Sequence, residues 1–124
     1  MEAWIDPQTP DEAQKTVGMG GRTLSRVFSD ECQDSNRHFR DGSDTRWTAE
    51  DRPGTTNAAL HYYNSSHVTT PNGKLVIETT RQDSIYTEHD PNGWLQTFKR
   101  EYQTGMVSTW NKFCFTSGMI EISF

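Results

Sequence analysis

The chain has 124 residues, a net charge of −5 and a pI near 5.3. That leaves room for one domain at most and argues against nucleic acid or an anionic membrane as the main partner. Leu, Ile, Val and Phe supply only 20 residues, a lean aliphatic core, yet the 14 aromatics are more than a disordered chain carries. Such a composition fits a β-rich domain with a polar face, or part of a larger domain whose core lies partly elsewhere. No run of about 18 apolar residues occurs and no apolar segment follows Met1, so neither a transmembrane helix nor a signal peptide is read.

Residues 1–26 read as an approach segment. In "TPDEAQK", Thr9 suits an N-cap, Pro10 the first helical position and Glu12 the capping-box acid, which predicts a short helix over 10–16. The glycines of "GMGGR" break it. The remainder, 27–124, has β character. "TLSRVFSDE" alternates weakly, "RWTA" is short, and "HYYNSSHVTT" and "KLVIETT" are β-branched and aromatic. "PNG" at 71–73 predicts a type I turn between strands 67–70 and 74–80, with Pro second and Gly fourth. The same triplet at 91–93 predicts a second hairpin between "SIYTEH" and "WLQTFKREY". Residues 102–109 and 118–124 read as further strands. In the last stretch Ile120, Ile122 and Phe124 alternate with Met119, Glu121 and Ser123. Short strands with closely spaced turns and no long helix predict an antiparallel sandwich or jelly roll.

Cys32 and Cys114 form no metal pattern; they read as two small buried residues, with a single disulfide between them as the alternative. His38, His61, His67 and His89 lack ligand spacing, so no metal site and no cofactor are read. Asn64-Ser65-Ser66 is a glycosylation sequon. Glu88 and Asp90 flank a turn and should carry ordinary carboxyl pKa values in water, unsuited to acid catalysis. Asp30 and Glu31, at a strand end, face opposite sides and read as loop anchors accepting backbone N–H groups. No G-x-S-x-G elbow or phosphate-cradling glycine loop is present.

The tryptophans leave two readings open. Flat sugar rings stack on Trp and Tyr, and their hydroxyls pair with Asn, Asp and Glu. In a lean β domain a Trp also serves as core. Trp47 fits the core. Trp110 and Asn111, adjacent in "STWNKF", together with Glu121, are the candidate carbohydrate-binding residues.

Four segments together resemble one family: "WIDPQTPDEAQ" (4–14), "VFSDE" (27–31), "VTTPNGKLVI" (68–77) and "GMVSTWNKFCFTSGMIEISF" (105–124). They are similar to landmarks of the β-1,6-glucan synthesis-associated proteins of fungi and related walled eukaryotes, a branch of glycoside hydrolase family 16. Stretches 32–66 and 81–101 match poorly, and Cys32 stands where the family has Phe. The resemblance implies a concanavalin-like jelly roll with a glucan-binding cleft on its concave face. It also implies an upstream cytosolic tail and membrane helix, hence a type II protein of the secretory pathway or plasma membrane. The wider family uses E-x-D-x-x-E on one strand, with nucleophile and acid/base carboxyls about 5 to 5.5 Å apart in retaining enzymes. This sequence lacks that motif, which the family places downstream of "IEIS". The expectation is therefore an incomplete jelly roll: the N-terminal part of a larger domain, contributing to a β-glucan site without the catalytic acids, poorly soluble by itself because its inner sheet face and edge lie open. A non-catalytic, lectin-like carbohydrate-binding module is the alternative.

Overall fold

The computed structural model describes residues 4–124. Among them are ten strands and four short 3₁₀ turns, with no α-helix. Strands β1 (Lys15–Val17) and β2 (Thr23–Ser25) pair antiparallel across the glycine turn, where Gly20 and Gly21 take φ of 76° and 75°. The helix expected over 10–16 is a single 3₁₀ turn, Asp11–Gln14, and Lys15 already lies in β1. Thr9 is not its cap: its hydroxyl donates to Ser29 Oγ at 2.8 Å, a tertiary bond that competes with capping.

Strands β3 (Thr48–Ala49), β4 (Arg52–Pro53), β5 (His61–Tyr63), β6 (Val68–Thr69) and β7 (Val76–Ile77) are short. β8 (Thr80–His89) and β9 (Leu95–Thr104) are long, and β10 (Val107–Ser108) follows. The largest sheet runs β4-β5-β9-β8, antiparallel except where β5 lies parallel to β9. β6 pairs with β7, and β10 with β3. A bulge at Arg81/Ser84 interrupts the β8–β9 ladder and adds local twist. Both predicted hairpins form. "VFSDE", by contrast, joins no strand ladder.

The two "PNG" triplets make different turns. At 71–73 the frame is shifted by one residue from the expectation. Asn72 and Gly73 both have positive φ (52° and 72°), and Lys74 N–H donates to Pro71 O at 3.2 Å. That is a type I′ Asn-Gly turn, whose twist suits a tight hairpin. At 91–93 Pro91 does sit second and Gly93 fourth, closed by Gly93 N–H on Asp90 O at 2.9 Å, with Gly93 at φ 84°. The difference is set upstream, since Asp90 supplies a side-chain acceptor and Thr70 does not. Asp90 Oδ1 takes the N–H groups of Asn92 and Trp94, each at 2.9 Å.

The core is small. Phe39, Ala49 and Val68 form its buried centre, with Trp47 and Val107 packed against it. A second, aromatic cluster joins Trp47 to Phe28 (5.3 Å), Phe28 to Phe113 (4.9 Å) and Phe113 to Trp4 (5.6 Å). Gly105 permits the close approach of the β9–β10 corner: a Cβ there would meet Val68 Cγ2 at 2.5 Å. Polar groups fill the rest. Thr70 donates to Asp34 O (2.6 Å), and Gln103 links Ser84 to Asn64 (2.7 and 2.9 Å).

Two sequence expectations are corrected here. Residues 118–124 join no ladder; Ile120, Ile122 and Phe124 stand exposed, because alternation gives a strand only where a neighbour supplies the hydrogen bonds. Cys32 is buried but Cys114 is exposed, and both are free thiols. Burial and the Asp30 charge push the Cys32 thiol up to about 11, so it is inert near neutrality.

Ile85, Leu95, Trp94, Ile120, Ile122 and Phe124 are all more than 60% exposed. Apolar surface of this extent favours association. Sedimentation of the chain is expected to show concentration-dependent oligomers that bind an apolar dye such as ANS; a dye-silent monomer with one sharp thermal transition would contradict this.

Candidate functional site

Trp110 and Asn111 lie on a turn, 109–112, that follows β10. Phe113 N–H and Lys112 N–H both donate to Thr109 O, at 3.0 and 2.9 Å. Asn111 takes a left-handed φ of 59° and is exposed. Trp110 is 85% exposed, so it belongs to no core formed within these 124 residues. Glu121 is exposed on the extended terminal stretch, and no hydrogen bond joins it to Trp110 or Asn111 among the described residues. Trp94, at the β8–β9 tip, is exposed as well. Trp47 is core, as expected, and its indole N–H donates to Asp30 Oδ2 at 2.8 Å.

Lys112 holds the turn in place. Its ammonium donates to the carbonyls of Gly42 (3.0 Å), Trp47 (3.1 Å) and Asp44. Phe113, one residue on, is seated on Phe28. The rim that presents Trp110 is thus tied to the loop 42–47.

That loop is fixed in turn by a charge network that sequence reasoning missed. Asp30 takes a bidentate pair of hydrogen bonds from Arg37 (2.6 and 2.8 Å), one from Arg46 Nε (3.0 Å), one from Trp47 and one from Cys32 N–H (3.0 Å). Arg37 also bonds Asp44 (2.9 and 3.2 Å), and Asp44 receives the N–H groups of Arg46 and Trp47. Arg46 reaches Asp6 at 3.6 Å, while Asp6 accepts from Glu31 N–H and Gln8 N–H. Burial opposes the charge on Asp30, but the Arg37 hydrogen bonds and the Cys32 N–H outweigh it and hold the carboxyl far below its usual range. Asp44 shows the same balance: burial opposes ionisation, and Arg37 with the loop N–H groups overcomes it. Asp30 is therefore the anchor expected of it, with many more partners. A depression of about 490 Å³ opens beside the network, lined in part by Asp6, Asp34, Arg37, Asp44 and Arg46. Its guanidinium groups are already committed to carboxylates.

Among the described residues no three His, Cys, Asp or Glu side chains are grouped to hold a metal, and no helix is long and apolar enough to cross a membrane. Asp90, read as an ordinary carboxylate, is instead lowered, chiefly by the Trp94 N–H. The sequon residue Asn64 is half-buried. Its amide nitrogen donates to Gln103 Oε1 at 2.9 Å and its Oδ1 accepts from Ser66 N–H and O–H.

Comparison with known proteins adds the lineage. Residues 1–124 match the family model "Beta-glucan synthesis-associated protein SKN1/KRE6/Sbg1". The chain belongs to this β-glucan synthesis-associated family. It is 40% identical over 119 residues to the β-glucan synthesis-associated protein SKN1 of Saccharomyces cerevisiae, covering 96% of the chain and 14% of that protein. Against KRE6 of the same yeast it is 36% identical over 121 residues, covering 96% and 15%. The chain thus spans about one seventh of the length of these relatives. Among solved structures it is similar to an endo-β-1,3-glucanase from Pyrococcus furiosus, with a TM-score of 0.58, 23% identity, and coverage of 81% of this chain and 35% of that one. The likeness shows the fold: an all-β, jelly-roll type of architecture, of which the sheets described above form part.

Within this β-glucan synthesis-associated chain, the Asp30 network sets a pH dependence. The folded pKa of Asp30 lies below its unfolded value near 3.9, so its stabilisation is complete above that value and fades as pH falls through the folded one. Acid titration followed by near-UV circular dichroism is expected to show progressive loss of tertiary signal below about pH 4. Asp30→Ala strands Arg37 and Arg46 without their shared acceptor and is expected to cost about 3 kcal/mol or more in urea unfolding.

Proposed function

We propose that this chain supplies β-glucan-binding surface to a protein of cell-wall glucan synthesis, and that it breaks no glycosidic bond by itself. Family membership over the whole chain supports the ligand class. The observation that carries the reading is Trp110, 85% exposed on a turn braced by Lys112, with Asn111 beside it. An indole held in that way offers an apolar face to the C–H groups of a pyranose, and Asn111 and Glu121 offer hydrogen-bonding groups for hydroxyls.

The carboxylates support the second half of the proposal. Glycoside cleavage needs a general acid whose pKa is raised towards neutrality. Asp30, Asp41, Asp44 and Asp90 are all lowered instead, by hydrogen-bond donors around them. The sequence contains no E-x-D-x-x-E. Where the family performs hydrolysis or transfer, we place the acids outside these 124 residues.

Titration of the chain with laminarin and with pustulan, a β-1,3- and a β-1,6-glucan, is expected to quench or shift tryptophan fluorescence and to release no reducing sugar. Trp110→Ala should weaken that binding by about 1 kcal/mol, the scale of one aromatic contact. Release of glucose or oligosaccharide by the purified chain would refute the non-catalytic assignment.

We further propose a secretory-pathway location, with any membrane attachment made through a segment upstream of the chain, and glycosylation at Asn64 during synthesis. The sequon and the glucan lineage favour this. The engagement of the Asn64 amide with Gln103 makes modification before folding the accessible route. Expression in a secretory host is expected to give a mass shift that an endoglycosidase removes and that Asn64→Gln abolishes.

A further inference from the structure

The β8–β9 hairpin has two unlike faces, one open to solvent and the other half-buried at Ser84, Tyr86 and Arg100. One carries Ile85, Thr87 and His89 opposite Lys99, Thr97 and Leu95. The other carries three successive rungs of a different kind: Ser84 opposite Arg100, Tyr86 opposite Phe98, and Glu88 opposite Gln96. The central rung is aromatic, with ring centroids 5.6 Å apart and planes 24° from parallel. Tyr62 of β5 extends it, 5.5 Å from Tyr86. The Arg100 guanidinium lies 5.9 Å from the Tyr86 ring centre, close enough to steady it. Phe98 is 40% exposed, beside the half-buried rings of Tyr86 and Tyr62.

We propose that this aromatic face is a second contact for a β-linked glucan chain, in addition to the Trp110 turn. The proposal rests on the reading that the ligand is a β-glucan. A row of rings bordered on both sides by hydrogen-bonding side chains suits a ligand that alternates C–H faces with equatorial hydroxyls. A purely apolar partner would leave Glu88 and Arg100 desolvated beside it, and the cost of burying such charges disfavours it. A basic or acidic partner would find both signs on the face. With neighbouring ring centres 5.5 and 5.6 Å apart, joint contact with Tyr62, Tyr86 and Phe98 suits a ligand of more than one sugar unit.

The test is titration of laminarin and pustulan into the wild-type chain and three variants, below the concentration at which the chain self-associates. Phe98→Ala is expected to bind about two- to tenfold more weakly, the range of a single aromatic contact. Phe98→Tyr, which keeps the ring, should bind like the wild type. Ile85→Ala, on the opposite face, should also leave binding unchanged. Far-UV circular dichroism of each variant establishes that the sheet is retained. Wild-type affinity in Phe98→Ala, together with weakened binding in Trp110→Ala, overturns this inference and leaves the Trp110 site standing. An equal loss in Phe98→Tyr and Phe98→Ala also overturns it, because the ring would then not be the contact. Absence of any glucan binding by the wild-type chain overturns the glucan reading itself, and this inference with it.

Discussion

One carboxylate organises the long irregular stretch that precedes β3. Between β2 and β3 the backbone runs 22 residues without a strand, and only Cys32 and Phe39 there are buried apolar residues. Hydrophobic burial cannot fix so long a segment. Asp30 does so instead, by gathering Arg37, Arg46, the Trp47 indole and the Cys32 N–H onto its two oxygens. A buried carboxylate is costly unless every lone pair is used, and here the donors outnumber the oxygens. The network is therefore all-or-none: each partner depends on the others to offset the desolvation of the group.

The same constraint reaches the surface. Asp44, held by Arg37, shapes the loop whose carbonyls receive Lys112. Lys112 then fixes the turn that lifts Trp110 into solvent. Sequence to site thus runs through charge and backbone carbonyls, together with the packing of Phe113 on Phe28 beneath the rim. An exposed indole on a floppy turn would lose conformational entropy when it met a ligand; on a braced turn that loss has already been incurred in folding. The long hairpin solves the same problem with a β-ladder, whose paired backbone holds Tyr86 and Phe98 side by side.

What the sequence made legible was local. Gly20 and Gly21 marked a turn, the two Asn-Gly pairs marked hairpins, and β-branched runs marked β6, β7 and the ends of the long strands. Family landmarks made the jelly-roll class legible as well. The Asp30 network was hidden because its members lie 7, 16 and 17 positions apart, spacings that belong to no periodic element. The Asp-Gly-Ser-Asp stretch at 41–44 signals a turn but not the arginine that turn would serve. Trp110 was ambiguous for another reason: a tryptophan in a short strand-like run looks the same from the inside or the outside. Its exposure is decided by Phe113, three residues later, which takes the inward position against Phe28. Residues 118–124 misled by pattern alone, since alternation records what a strand would bury and not whether a neighbour is present to pair with it.

The carboxylates of this chain whose pKa is shifted all shift downward. A proton donor to a glycosidic oxygen must sit where its charged form is disfavoured, in an apolar pocket or beside another anion. Each carboxylate whose pKa moves here moves the other way, because an arginine, a hydroxyl or a turn N–H points at it. Those same donors are what close the loops at 30–47 and 90–94. Removing them to free an acid would dissolve the structure that positions it, so the fold and acid catalysis compete for the same carboxylates. The aromatic surfaces are under no such conflict: Trp110, Tyr86 and Phe98 can meet a glucan without giving up a bond the fold requires. That asymmetry supports the proposal that this part of the β-glucan synthesis-associated architecture contributes recognition surface, with any acid catalysis left to groups whose environment can raise a pKa.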